Sequence, residues 1–212
     1  MQLVLQAKNK IDRPGKAVFG RSMPCERFPM TQALLLLIDI QNDYFPGGAM
    51  ELVGSPAAAA QAEKLLRAFR EKALRVIHIQ HVSERPGATF FLPNTAGVQI
   101  HESVAPVGGE AVLEKHYPNS FRETGLLEHL RGHQPTHLVI AGMMTHMCVD
   151  TTVRAAADIG FQCILAHDAC ATRALSFAGA AVSAENVQTA FLAALNGLFA
   201  KVLPAEEICA NL

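Results

Sequence analysis

The sequence predicts an α/β fold in which a mostly parallel sheet is covered by helices on both faces. Three observations lead there. Short apolar runs of strand length alternate with longer Ala-rich or amphipathic stretches of helix length. The strongest runs, residues 33–38 and 138–141, are apolar without alternation, as strands buried on both faces are. No two strand candidates follow one another across a hairpin turn, so the connections are expected to cross over through helices.

In chain order, residues 1–29 carry Lys8, Lys10, Arg13, Lys16, Arg21 and Arg27 with little periodicity, and Met30 is a second candidate start directly before the first strand. Residues 1–29 are therefore expected to be an N-terminal extension, flexible or an over-called start, and 30–212 the single domain. The first strand, 33–38, ends at Asp39, and residues 40–48 follow as a loop closing on Pro46-Gly47-Gly48. Residues 56–71 read as an amphipathic helix with Ser55 as its cap, and 74–79 as the second strand. The segment 82–109 is rich in Pro, Gly and Ser and holds Phe90, Phe91, Leu92 and Pro93; a loop of that length in a compact domain is functional or mobile. Residues 111–113 form a short third strand delivering Lys115, and 121–130 a modest helix. Gly142 ends the strand 138–141, and an Ala-rich helix over 147–158 follows, with Thr145 placed to cap it. A strand over 161–165 leads to His167-Asp168, a helix spans 184–195, and a last strand 198–202.

Composition narrows the function. Of 212 residues, 50% are hydrophobic and 17% charged, enough for one domain with a sizeable core and too apolar for disorder. A net charge of −1 without a basic block argues against nucleic acid or an anionic membrane as partner. The longest uncharged apolar run is too short to span a bilayer, and the first residues lack a signal peptide's basic start and apolar stretch. Cys25, Cys148, Cys163, Cys170 and Cys209 are odd in number and contain no Cys-x-x-Cys pair, which points to reduced thiols in a cytoplasmic protein rather than a disulfide scaffold or zinc knuckle.

The chemistry gathers where strands end. Cys148 falls in the first turn of a helix just past a strand's carboxyl end, where ligands of parallel sheets bind and where the helix dipole favours a thiolate. The plain alternative is a small buried core thiol. Asp39 and Lys115 also close apolar runs and should emerge at the same edge. An acid to take the thiol proton, a cation to favour thiolate and carboxylate charge, and helix N–H groups for an oxyanion are what acyl transfer to sulfur needs. Taken singly, Asp39 reads as a turn or capping aspartate and Lys115 as a solvated lysine. Histidine is the usual partner of a catalytic cysteine, but His146 lies too close along the chain and is expected to be exposed or supporting, while His116 has no fixed direction. His78 and His81, three apart on a strand, face opposite ways, so a shared metal is not expected. No Gly-x-Gly-x-x-Gly or phosphate-binding Gly-x-x-x-x-Gly-Lys loop follows any strand, so no nucleotide cofactor is expected.

With these residues placed, the chain resembles the isochorismatase-like cysteine hydrolases. The resemblance is carried by Leu37-Ile38-Asp39-Ile40-Gln41-Asn42-Asp43-Tyr44, by Lys115 in Glu-Lys-His-Tyr-Pro-Asn-Ser-Phe, and by Gly142-Met143-Met144-Thr145-His146-Met147-Cys148-Val149. Arg154-Ala155-Ala156 and Asp168-Ala169-Cys170-Ala171 extend it over roughly residues 31–205. The resemblance implies a three-layer Rossmann-like fold with a six-stranded sheet, an Asp39–Lys115–Cys148 triad with Asp39 as base and Cys148 as nucleophile, and a non-proline cis peptide at Met143–Met144. It further implies an oxyanion site from the backbone N–H groups of Met144 and Cys148, and a homodimer or homotetramer. The substrate pocket is expected around Gln41, Tyr44, Phe90, Phe91, Met143 and Thr145, with the two phenylalanines as an apolar lid or a core plug. Nicotinamidases in the family hold a metal through an Asp-x-His, whereas this chain reads His78-Ile79-Gln80-His81-Val82, so the metal-independent, carbamoyl-cleaving members are the better match. The expected reaction is hydrolysis of a C–N bond in a small amide, carbamoyl or ureido compound through a Cys148 acyl-enzyme. The alternatives are a vinyl ether hydrolase using Asp39 without covalent catalysis, and a non-catalytic member that keeps the scaffold.

Overall fold

The computed structural model describes Met30 and residues 32–212; the expectation for 1–29 lies outside the described residues. Six strands form one parallel sheet: β1 (Leu34–Ile38), β2 (Arg75–His81), β3 (Ala111–Lys115), β4 (Leu138–Met143), β5 (Cys163–Ala171) and, after two short strands described below, β8 (Ala200–Leu203). Their order across the sheet is β3-β2-β1-β4-β5-β8. The order reverses between β1 and β4, and the crevice beyond the carboxyl ends at such a switch point is where ligands bind in doubly wound sheets.

The unbroken apolar run of β1 is explained by two cores. Leu35 and Leu37 pack with α1 (Ser55–Glu71) and, at the chain end, α5 (Ala205–Asn211). Leu34, Leu36 and Ile38 face α2 (Leu126–His133), α3 (Asp150–Asp158) and α4 (Ala184–Leu195) on the other side. All five β1 residues are buried, which forbids polar residues on either face. No helix among the described residues is long and apolar enough to cross a membrane.

Several local expectations are corrected. Gly54, at φ 76°, rather than Ser55, is the N-cap of α1; the Ser55 hydroxyl donates to Leu52 O (3.3 Å), and Pro56 fits the first turn, where its missing N–H costs nothing. The helix expected over 121–130 begins at Leu126, because Glu123 sits at φ 57° and the Thr124 hydroxyl ties Ser120 O (2.6 Å) and Leu126 N (3.3 Å) into a turn. The strand expected over 198–202 is β8. A hairpin that the pattern hid joins β6 (Leu175–Phe177) to β7 (Ala180–Val182), so the fold is not purely crossover-connected. Its two turn residues, Ala178 and Gly179, both have positive φ, the geometry of the tight primed turn, but alanine there gives little signal.

β5 runs longer than the expected 161–165, with an irregularity against β4: Ile140 pairs with Leu165 while Gly142 pairs with Cys170. The extra residues swing Asp168 outward, and its Oδ1 accepts from Ala205 N (2.8 Å) at the start of α5.

Candidate active site

Asp39, Lys115 and Cys148 meet at the carboxyl edge of the sheet beside the β1–β4 switch point. Asp39 is the first residue past β1 and adopts φ 52°, a region that aspartate tolerates better than most side chains and that recurs at functional sites. Gly142 of β4 lies against the end of β1; a Cβ there would collide with the Ile38 carbonyl oxygen, so only glycine lets the two strand ends close up. The Asp39 carboxylate is fully buried, 2.8 Å from the Lys115 ammonium. Neither carboxylate oxygen has a partner in full hydrogen-bond geometry; the Lys115 ammonium and the Cys148 thiol are the groups that face it.

Lys115, the last residue of β3, is fully buried, contrary to a solvated lysine. Its ammonium donates to Tyr117 O (3.2 Å) and Pro118 O (3.0 Å) besides facing Asp39. Burial works against its charge, but the neighbouring Asp39 and Cys148 outweigh burial and hold the lysine above its ordinary value.

Cys148 is buried in a π-helical turn, Thr145–Val149, that precedes α3. Burial first, and the Asp39 charge second, push its thiol well up, with Lys115 pulling the other way. The resting group is a thiol. This corrects the thiolate expected from a helix N-terminus: enclosure and a carboxylate neighbour overcome the dipole, and the α-helix proper starts only at Asp150. Thr145 does not cap; its hydroxyl donates to Ala171 O (3.1 Å), and the turn's N-cap is Met144. His146 is buried, not exposed, with Nδ1 2.5 Å from the Thr172 hydroxyl. The Met143–Met144 peptide is cis, and Met144 and Cys148 stand at the two ends of the turn beside the cavity.

A cavity of about 140 Å³ opens over the cysteine, lined by Tyr44, His81, Phe90, Tyr117, Met147 and Cys148, with Ser83, Arg85, His116, Pro118 and Met144 completing it. Of the residues expected to form the pocket, Tyr44 and Phe90 line it. Phe91 is fully buried beneath, 4.6 Å from the Tyr44 ring centroid, so it is the plug and Phe90 the wall. Met143 and Thr145 are buried in the strand end and turn. Gln41 is enclosed and grips its neighbours instead: its Nε2 donates to His81 O (2.9 Å) and Val98 O (2.7 Å), and its Oε1 accepts from His81 N (2.7 Å).

That grip fixes a residue the sequence left without a role. His81 Nδ1 lies 3.5 Å from the Lys115 ammonium and 3.9 Å from Asp39. Burial lowers its pKa to about 4, so the ring is neutral at pH 7. With an ammonium on Nδ1, the ring proton belongs on Nε2. His78, as expected, faces away, with Nε2 2.9 Å from Glu110. The long loop is also pinned rather than loose: Asp43 accepts from Phe91 N (2.6 Å), and Asn42 N and Asp43 N donate to Gln99 O and Gly97 O.

Donor atoms of Asp39, His81 and Cys148 lie within 4.8 Å of one another, a spacing that would admit an ion. The donor set fits one poorly, because the Lys115 ammonium already occupies the Asp39 carboxylate at 2.8 Å and would lie against any ion held there.

This sheet order, with an acid, an ammonium and a thiol at its switch point, belongs to Rossmann-like α/β enzymes. The isochorismatase domain model matches residues 33–207, and the chain belongs to the isochorismatase family and is a hydrolase of that family. The isochorismatase family protein YddQ of Bacillus subtilis is 51% identical over 177 residues, covering 84% of this chain and 98% of its own. The crystal structure of an isochorismatase-type hydrolase from Oleispira antarctica matches at TM-score 0.82 and 46% identity over 90% of this chain and all of that one. An isochorismatase from Pseudomonas putida KT2440 matches at TM-score 0.79 and 34% identity, covering 88% and 93%. More distant relatives include a maleamate amidohydrolase of Pseudomonas putida (28%; 72% of this chain, 76% of that protein) and the nicotinamidase of Escherichia coli (27%; 66% and 84%). A streptothricin hydrolase of Streptomyces noursei is 33% identical over 65% of this chain, which spans about half (49%) of that protein.

Proposed function

We propose that the protein is a metal-independent cysteine hydrolase that cleaves a C–N bond of a small amide, carbamoyl or ureido compound. The observation that carries this reading is the buried Asp39 carboxylate, paired with Lys115 at 2.8 Å and facing the Cys148 thiol. Named relatives that act as an amidohydrolase and a nicotinamidase support the bond type.

In this reading the Cys148 sulfur attacks the substrate carbonyl carbon as its proton passes to Asp39. The oxyanion is met by the backbone N–H groups of Met144 and Cys148. Asp39 returns the proton to the departing amine, leaving a thioester. Water then attacks the acyl carbon, giving up a proton to Asp39, and the acid leaves as the thiol re-forms. Lys115, held above its ordinary value, stays charged throughout and faces Asp39 with its ammonium at 2.8 Å in each proton transfer. Residues 30–212 act as the hydrolase domain, with 1–29 an extension, in a cytoplasmic homodimer or homotetramer.

A panel of small amides, carbamoyl and ureido compounds assayed with wild type, Cys148→Ala and Asp39→Ala tests it. Turnover is expected to vanish in both variants. Hydrolysis of isochorismate that survives Cys148→Ala but not Asp39→Ala would assign the vinyl ether reaction instead.

A further inference from the structure

We propose that Arg85 selects substrates bearing a carboxylate, so that the protein acts on short amide or ureido acids rather than on neutral amides. This deepens the cysteine hydrolase reading and rests on it. The cavity over Cys148 is lined by no carboxylate, and Arg85 is the permanently charged side chain in its wall. Within the site the other charges cancel: Asp39 and Lys115 form a contact pair, Cys148 is a thiol, and His81 is neutral. Arg85 adds its positive charge in the cavity wall itself; Arg122, stacked 3.5 Å over the Tyr117 ring, and Arg173, whose charge reaches Tyr44, add to the positive field without lining the cavity.

Arg85 is not spent on the fold. Its side chain is exposed, and no carboxylate or hydrogen-bond acceptor engages its guanidinium among the described residues. The carboxylates that reach the cavity-lining His116, Glu84 and Glu114, are exposed and lie 3.7 and 3.6 Å from its ring nitrogens. The Arg85 charge nevertheless reaches inward, since it helps disfavour protonation of His81. An anion entering this cavity would meet a planar donor fork suited to a carboxylate.

Size sets the spacing. A dry cavity of about 150 Å³ holds a benzene ring, so one of about 140 Å³ encloses on the order of six non-hydrogen atoms, with any further atoms at its open mouth. With the carbonyl at Cys148 and the carboxylate at Arg85, only a spacer of a few atoms remains. Tyr44, Phe90 and Met147 offer that spacer apolar walls.

Two reagents of nearly equal size and opposite character provide the test. Cys148 is alkylated with iodoacetate and with iodoacetamide, rates being followed by peptide mass spectrometry, and the rate ratio is compared with that of free glutathione. The iodoacetate-to-iodoacetamide ratio at Cys148 is expected to exceed the glutathione ratio by about three- to tenfold at low salt and to shrink with added salt. Arg85→Gln should return it to the glutathione value, while Arg131→Gln, an exposed arginine on α2, should leave it unchanged. A ratio identical in wild type and Arg85→Gln overturns the proposal. A second measurement is independent of thiol reactivity: succinamate and succinamide are titrated calorimetrically into the Cys148→Ser protein. Succinamate is expected to bind more tightly, with the preference lost in the Arg85→Gln double variant; equal binding of the two overturns the proposal. Should the Cys148→Ala protein turn over a responsive substrate undiminished, the cysteine hydrolase reading fails by itself, and the titration still decides the role of Arg85.

Discussion

Strand β2 carries two histidines three residues apart, and each leads to an acid: His78 to the half-buried Glu110, His81 to the fully buried Asp39. On one face His78 reaches Glu110, which also accepts from Arg70 Nε (2.7 Å), Arg70 Nη2 (2.8 Å) and Val107 N (3.0 Å). On the other, His81 reaches Asp39, which has the Lys115 contact and no well-directed hydrogen bond. Glu110 is saturated: the bidentate arginine and its other donors drive its pKa down to about 2, against the burial that would raise it. Asp39 has no such set of directed donors. A satisfied carboxylate ties elements together; an under-satisfied one beside a thiol and a cavity is equipped for proton transfer.

Breaking the second cluster should have the largest effect. Cys148→Ala is expected to reduce turnover by about 10⁴-fold or more while the fold persists, because in the proposed mechanism nucleophile and base act as a unit. Lys115→Met leaves the Asp39 charge buried without a partner, and should lower stability by about 3–5 kcal/mol in chemical denaturation. Pairing it with Asp39→Asn removes that charge, so the double variant should recover most of the stability and none of the activity.

Breaking the first cluster should do the reverse. Glu110→Gln is expected to cost about 1–3 kcal/mol, since it weakens the bonds to Arg70 and His78, with turnover changed by less than about threefold. The pH dependence follows the same division. Glu110 has a folded pKa near 2 against an ordinary 4.5, so its contribution is present above 4.5 and is lost as pH falls toward 2. His81, held near 4 against 6.5, and His78, lowered by burial, are preferred neutral in the folded state. Their contribution disappears as pH drops from 6.5, down to about 4 for His81. Stability from urea titrations should therefore fall in acid, and Glu110→Gln should flatten the portion below pH 4.5. The smallest effect is expected at Cys170, a buried thiol pushed up to about 12 with no acid–ammonium pair beside it. Cys170→Ala should cost about 1 kcal/mol and leave turnover unchanged.

Much of this division is legible in the sequence. Asp39, Lys115 and Cys148 each close a strand, and a parallel sheet brings strand ends to one edge, so their meeting needs no knowledge of side-chain packing. The opposed directions of His78 and His81 follow from strand alternation alone. What lies deeper depends on contacts between distant segments. Gln41 reads as a pocket residue from its place beside Asp39, but its amide is consumed by His81 and Val98, and Val98 is 57 positions away. Phe90 and Phe91 are indistinguishable in sequence until Asp43 takes the Phe91 N–H and turns one ring inward. The thiol's raised pKa was hidden for the same reason: a helix N-terminus is a local feature, whereas enclosure is not. Arg85 stood unnoticed in a long loop, because nothing local says which loop residues will rim a cavity.

The proton-accepting role proposed for Asp39 and the nucleophilic role proposed for Cys148 meet in one measurable species, the thioester. Rapid acid quench of the protein turning over a responsive amide, followed by intact and peptide mass spectrometry, should find the acyl mass on the peptide holding Cys148. It should be absent in Cys148→Ala and reduced to background in Asp39→Asn. Full turnover by the Cys148→Ala protein, with no acyl mass in the wild type at any quench time, would contradict the account.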